Sequence, residues 1–542
     1  MEPNQSLIPS KWVLPLAFLA LLFPIAIMEY QILQDTGGTF CYGLDDPFIH
    51  LSIGKNLANH GIWGTTPYEF SSASSSIIYP LLIAGTIKLI GSSTTIPFLL
   101  NLVAAIILII VVRNWLVQQG LSPAYQLLIL LAVIYFTPLP ITVMIGMEHT
   151  FQLLFCFLFI TSFSYALANA PVTGVKVGEL PWQVYVWASL MTATRYESGI
   201  LIAAALILLL FHKRVWASLC LAFFSFLPVL LFGFYSLYHG AYFLPNSVLL
   251  KSRAPHLAFN ELYYYFTTQL YERLSLAQGP HIYNSVSVQR LILILPLMYF
   301  IFNNQVRKQA AYRYLIFLLT VGLVAQLAVA NIDRSSRYEA YLIGCAVVFI
   351  LFLILKYGRE ILNGWSQMAK GVAIFLVCIM CYPLVLRSGR AFGDIELASV
   401  NIFQQQYQMG SFFHKYYNND GIALNDIGAV SYLTEGKKLD LIGLSSYEIT
   451  KARLNNYYTP QIVSQAVKRD SVKVAVVFDV WFPQQFFSGW IPVGTWTIQN
   501  NIICLSNTVT FYAVDTAFRQ DLQRNLHGYE RFLPKDVKAA YF

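Results

Sequence analysis

Charge is what this sequence lacks. Asp, Glu, Lys and Arg make up 11% of its 542 residues, where a soluble domain carries about 25%. The net charge of +8 is modest. It fits Lys and Arg beside membrane spans better than a nucleic-acid surface. Paired cysteines are missing too. Seven cysteines are scattered, mostly through apolar runs, so no disulfide framework is expected. Cys378 and Cys381 form a C-x-x-C inside an apolar run and read as small buried residues. No small-residue cleavage site follows the first apolar stretch, no solenoid repeat recurs, and no low-complexity tract appears.

What remains is apolar: 57% hydrophobic and 15% aromatic residues, with a mean hydropathy of +0.56. Residues 12–33 are long enough to cross a hydrocarbon core of about 30 Å, and Lys11 precedes them. They read as an uncleaved anchor with its N-terminus inside. Further runs fall at 77–92, 97–112, 124–144, 149–170, 181–194, 198–211, 215–238, 291–303, 314–330, 340–355 and 370–386. Basic clusters at 212–214, 307–313 and 356–370 mark the inside. Counting from both ends leaves one run too many, and 77–92, broken by Pro80 and Gly85, is the one expected not to cross. The expectation is a polytopic α-helical membrane protein of about eleven spans, residues 1–387, with interfacial helices in its first outer loop. A soluble extracytoplasmic α/β domain, residues 388–542, follows. There VKVAVVFD (473–480) and VTFYAVD (509–515) read as strands.

In this topology the polar residues of the membrane part gather on the outer side: Asp45, Asp46, Glu148, His149, Arg195, Glu197, Asn246, Lys251, Arg334 and Arg337. Ionisable groups beside spans are costly and mark functional cavities. The pair Asp45-Asp46 opens a predicted helix, PFIHLSIGKNLANHG, that Gly61 closes. Asp46 suits the N-cap, while Phe48, Ile49, Ile53 and Leu57 form an apolar stripe fit to lie on the bilayer. Asp45 is left facing outward, where a carboxylate can take a proton from a bound hydroxyl.

LDDPFIHLSIGKNLANHGIW followed by SSASSSIIYPLL (71–82) resembles the first outer loop of the glycosyltransferase C superfamily, nearest to its mycobacterial-type arabinofuranosyltransferase branch. Further islands match in order. They are GMEHTF (146–151), ATRYESG (193–199), YFLPNSVLLK (242–251), DRSSRYE (333–339) and ALNDIGAVSYLTEGKKLDLIGL (423–444). Tyr196 stands where that pattern has proline, His149 follows the glutamate, and Pro47 replaces a small residue. These departures leave the donor sugar open.

The resemblance implies transfer of a sugar from a polyprenyl-phosphate donor to an extracytoplasmic glycan, lipid or protein acceptor, with inversion, at a bacterial cytoplasmic membrane. Asp45 is the expected base, with Asp46 as cap and support or as the base itself. Arg195, Lys251, Arg253, Arg334 and Arg337 are candidates to hold the donor phosphate. Glu148, His149, Glu197 and Asn246 are further candidate binding residues. Each also has a structural reading: a salt pair for Arg195 and Glu197, a helix cap for Glu148, a strand-to-helix turn for Asn425-Asp426. No cofactor is certain. There is no Asp-x-Asp, and Asp45, Asp46 and Glu148 are the oxygen ligands a divalent metal would use. Membrane lipids are expected partners and nucleic acid is not. The competing classes are a transporter or flippase of lipid-linked sugars and a polysaccharide polymerase or ligase.

Overall fold

The computed structural model describes residues 8–169, 180–251, 286–329 and 337–542. Each apolar run is helical. The first helix, α1 (Val13–Asp35), buries one narrow stripe (Val13, Ala17, Leu21, Ile25, Met28, Ile32) and leaves Leu19, Phe23 and Tyr30 exposed, as a lipid-facing helix does. Among the described residues, five helices are long and apolar enough to cross a membrane: Ser10–Asp35, Ile96–Gln118, His149–Ala168, Val215–Tyr238 and Ala340–Ile361. The run at 124–144 is two helices, Pro123–Phe136 and Leu139–Ile145, bent by 45° at Thr137-Pro138. As one broken span they bring the number to six. Shorter apolar helices complete the bundle. One is α3 (Ile78–Ile90), whose 13 residues rise only about 20 Å.

Between α1 and α3 lies α2 (Asp46–His60). Pro47 occupies its first turn, where a missing N–H costs nothing. Gly61, at φ +71°, ends it in the left-handed conformation and donates to Leu57 O at 3.1 Å. Its apolar stripe does not lie on lipid. Phe48 and Ile53 are fully buried and Ile49 nearly so, because α2 is sandwiched between α3 and the C-terminal part of the chain. Burying a Phe contributes roughly 1.5–3 kcal/mol, so protein rather than bilayer claims this face.

The C-terminal part carries a six-stranded sheet in the order β2-β1-β3-β5-β4-β6. The strands are β1 (Gly421–Leu424), β2 (Lys438–Asp440), β3 (Val472–Val477), β4 (Ile491–Thr497), β5 (Thr508–Ala513) and β6 (Lys538–Tyr541). β2, β1 and β3 run parallel, with Leu424 opposite Asp440 and Val476. The rest pair antiparallel. Ile422 to Leu424 and Val474 to Val477 are buried throughout, the signature of parallel strands covered on both faces. The two strands expected from sequence are β3 and β5.

The division at 387/388 falls inside one helix. Gln367–Ile402 runs 36 residues without a break, passes through a π-helical turn at Phe403–Tyr407, and leads through Gln408–Tyr417 into β1. Ile49, Ile53 and Trp63 of the first loop share one hydrophobic cluster with Ile422, Val474 and Phe511 of the sheet.

Candidate active site

The two adjacent aspartates point to different partners. Asp45 stands at the N-cap position of α2 but makes no side-chain cap bond there. Its carboxylate instead accepts from Gly428 N at 2.6 Å and Ala429 N at 2.8 Å, across the interface with the C-terminal part. A β-carbon at residue 428 would lie 2.1 Å from Asp45 O and 2.6 Å from Asp45 Cγ, so only glycine admits this approach. Burial and the nearby Asp426 charge push the Asp45 carboxyl up to about 8, against the pull of the two amides. Asp45 is therefore a clasp rather than a group open to a ligand. Asp46, expected as the cap, is the first helical residue and caps nothing. Its Oδ2 accepts from Arg337 Nη1 at 3.0 Å, and its half-buried side chain lines a cavity of about 670 Å³.

That cavity lies where the C-terminal part meets α2. Its other walls are Leu250, Asn425, Asp426, Ile442, Leu444, Arg453, Asn456, Tyr458, Trp481 and Leu505. Asn425 follows directly on β1, and Ile442 and Trp481 lie in the segments just after β2 and β3, so the cavity opens at the carboxyl ends of the parallel strands. Open α/β sheets bind ligands there, because the strand-to-helix loops diverge and leave a crevice. Asn425-Asp426 forms the strand-to-helix turn expected from sequence. Asn425 Oδ1 accepts from Phe478 N at 2.8 Å, locking β1 to β3, and Asp426 Oδ2 accepts from Gln406 at 2.8 Å. Asp440 ties the β2 loop by accepting from the amides of Ile442, Gly443 and Ser445 at 2.7–3.0 Å. Burial raises its pKa while those amides oppose the rise. Lys438, buried beside Glu435, is pushed down to about 7 by desolvation.

A second polar centre lies inside the bundle. Glu148 and His149 are almost fully buried and Arg195 is 8% exposed. Arg195 Nη1 donates to Glu148 Oε1 at 2.8 Å and Nε to Glu197 Oε1 at 2.8 Å. Ser75 Oγ adds a bond to Glu148 at 3.0 Å, and His50 Nε2 lies 3.4 Å from its other oxygen. His50 follows Asp46 by four residues on α2, which puts both on one helix face. Ser74 Oγ sits 3.2 Å from His50 Nδ1. Glu148 is at a helix N-cap position but, like Asp45, makes no cap bond there. His149 packs on the Tyr338 ring at 5.7 Å. The Arg195 and Arg337 guanidinium carbons lie 5.3 and 5.0 Å from that ring centroid. Tyr338 thus joins the buried centre to the Asp46–Arg337 pair.

Of the expected binding residues, Arg337 reaches the cavity edge through Asp46. Glu148, His149, Arg195 and Glu197 form the buried centre. Asn246 docks on the sheet side through its Nδ2, which donates to Leu444 O at 3.2 Å, while its buried Oδ1 has no protein hydrogen-bond partner among the described residues. Lys251 ends the helix Asn246–Lys251, next to the cavity residue Leu250. Arg253 and Arg334 lie outside the described residues. The three carboxylates expected as metal ligands do not converge. Asp45 turns to amides, Asp46 to Arg337 and Glu148 to Arg195. No cluster of three His, Cys, Asp or Glu side chains suited to a metal occurs among the described residues. Sequence reasoning missed His50, Arg453, Tyr458 and Trp481. The i, i+4 spacing from Asp46 was a signal for His50. The other three carry no local pattern.

A family model described as a domain of unknown function (DUF8728) matches residues 400–512. The match takes in the sheet-side wall of the cavity but not the aspartate pair. No curated protein matches the chain. Among solved structures the chain is similar to ArnT from Cupriavidus metallidurans bound to undecaprenyl phosphate. The identity is 11%, over 94% of this chain and 99% of that one, with a TM-score of 0.46. The same ArnT in the apo state gives 10% identity, 92% and 98% coverage and a TM-score of 0.49.

Proposed function

We propose that the chain is a membrane glycosyltransferase that passes a sugar from a polyprenyl-phosphate donor to an acceptor hydroxyl, with Asp46 as the general base. One observation carries the reading: the Asp46 carboxylate, held by Arg337, lines a large cavity at the carboxyl ends of β1, β2 and β3. The ordered islands of resemblance in the sequence support it, since each island contributes to this cavity or to the centre behind it.

The acceptor hydroxyl sits against Asp46, which takes its proton. The acceptor oxygen attacks the anomeric carbon of the donor. The carbon–oxygen bond to the phosphate breaks, and the polyprenyl phosphate leaves with the electron pair. Attack from the face opposite the phosphate inverts the anomeric centre. The departing phosphate needs positive charge more than a proton. Arg337 supplies it beside Asp46, and the resemblance adds Lys251, Arg253 and Arg334 as further candidates. The helix Val215–Tyr238 begins beside the basic residues 212–214, and near its other end Phe232 packs on Trp63 of the first loop. Ala340–Ile361 begins beside Arg337 and carries Lys356 and Arg359 toward its far end. Both favour a site on the extracytoplasmic face of a bacterial inner membrane.

Asp46→Asn keeps the side chain's shape and removes the base. Transfer from a polyprenyl-phosphate sugar, assayed in membranes, should fall by about 10²–10⁴-fold. Asp45→Asn should cost activity only through weaker docking of the sheet. Undiminished turnover in both Asp46→Asn and Asp46→Ala would falsify the assignment.

A further inference from the structure

The sheet-side wall of the cavity has a composition that the base and the cations do not use. Trp481 and Tyr458 both line it. The Tyr458 ring is already packed, with Phe486 at 4.8 Å and the Arg453 guanidinium carbon at 5.1 Å from its centroid, and its hydroxyl donates to Leu441 O at 2.9 Å. Arg453 Nη1 is itself steered by Ile442 O at 3.4 Å. Asn425 is 5% exposed, and its carbonyl is taken by Phe478 N. Its amide N–H₂ group, on the cavity wall, therefore has donors left to give a ligand. Asn456 sits at φ +57°, in the left-handed region that asparagine tolerates better than most side chains, and it lines the same wall.

We propose that this wall is an acceptor subsite for a saccharide, in which Trp481 stacks on a sugar ring, Tyr458 holds Arg453 in place, and Asn425, Asn456 and Arg453 take the sugar's hydroxyls. The proposal rests on the glycosyl-transfer reading and names the class of acceptor. A sugar ring has an apolar face of C–H groups and a rim of hydroxyls. Rigid aromatic faces framed by amide and charged groups complement both parts at once. A lipid chain would offer nothing to the Asn425 amide N–H₂ group or to the Arg453 guanidinium, polar groups that are costly to desolvate. An extended peptide would pair along a sheet edge, whereas this wall lies across the strand ends. The cavity's size falls within the roughly 300–1,000 Å³ of small-ligand sites. It spans from Trp481 to Asp46, so a stacked sugar brings its hydroxyl to the base.

The test uses full-length Asp46→Asn protein, which binds without turning over. Soluble oligosaccharides of glucan, mannan, galactan and arabinan type are titrated by tryptophan fluorescence and calorimetry. At least one should bind, and Trp481→Ala should weaken it tenfold or more. Trp481→Phe should restore most of the binding, and the exposed Asn456→Gly, which keeps the left-handed backbone, gives a second loss. In the otherwise wild-type enzyme Trp481→Ala and Asn456→Gly should raise the acceptor KM with kcat preserved. Absence of binding by every oligosaccharide overturns the proposal, as does binding indifferent to both Trp481→Ala and Asn456→Gly. Competition by a long-chain alcohol or by an unstructured peptide in place of the sugars overturns it in favour of that acceptor. Oligosaccharide binding together with undiminished transfer by Asp46→Asn in membranes would remove the base and leave the subsite standing.

Discussion

Two polar centres meet α2, one at Asp46 and the other at His50, a helical turn further on. Around Glu148 the partners come from inside the protein: Arg195 and Ser75 bond one oxygen of a carboxylate with no exposure, and His50 lies 3.4 Å from the other. Asp46 pairs with Arg337, and its half-buried side chain also lines a cavity. The difference is one of access: a carboxylate enclosed by protein groups is shut off from a ligand, while one on a cavity wall lies within a ligand's reach.

The comparison breaks most sharply if the two carboxylates respond alike. Glu148→Gln leaves the Arg195 guanidinium buried with half its counter-charge. It should destabilise the protein by about 3–5 kcal/mol, seen as a lower melting temperature in detergent. Asp46→Asn should leave the melting temperature near wild type while transfer collapses. If Glu148→Gln melts normally and fails only in activity, the buried centre is catalytic and the contrast is wrong.

A smaller effect is expected at the clasp. Gly428→Ala forces its new carbon into Asp45. Overpacking of this kind costs about 1–3 kcal/mol. Limited proteolysis should show the C-terminal part cut sooner. Equal cleavage of wild type and variant would sink the clasp.

The remaining test is a pH dependence. Folded Asp45 holds its proton up to about pH 8, against an ordinary value of 3.8. Between those limits the folded state binds the extra proton, so stability falls as pH rises. Lys438 acts in the opposite sense. Folded, it releases its proton near pH 7 instead of 10.5, so its contribution rises with pH across that window. The difference in melting temperature between wild type and Asp45→Asn cancels the lysine. It should shrink from pH 5 to pH 8, and a constant difference would refute the shifted Asp45.

Local pattern made much of this fold legible. The apolar runs become helices, Pro47 and Gly61 bracket α2, and the alternation around Val474 and Phe511 becomes strands, because each signal lies within a few residues of its effect. The cavity could not be seen that way. Asp45 meets Gly428 across 383 residues of sequence, and nothing near either position announces the other. The stripe on α2 shows that an apolar face must be covered but not by what, and a sheet hundreds of residues later took the place expected for lipid. The Asp-Asp pair meets the same limit. Helix-capping logic assigned the cap to Asp46 and preferred Asp45 as the base, with Asp46 as the other choice, and nothing local points to the amides of Gly428 and Ala429 that Asp45 meets.

The uninterrupted helix Gln367–Ile402 has a mechanical consequence. This rod of about 54 Å carries Pro383 part-way along it, where one backbone hydrogen bond is missing, and meets the π turn at Phe403 before the sheet. An opening that admits a bulky chain would hinge at those two places or use the loops at the strand ends.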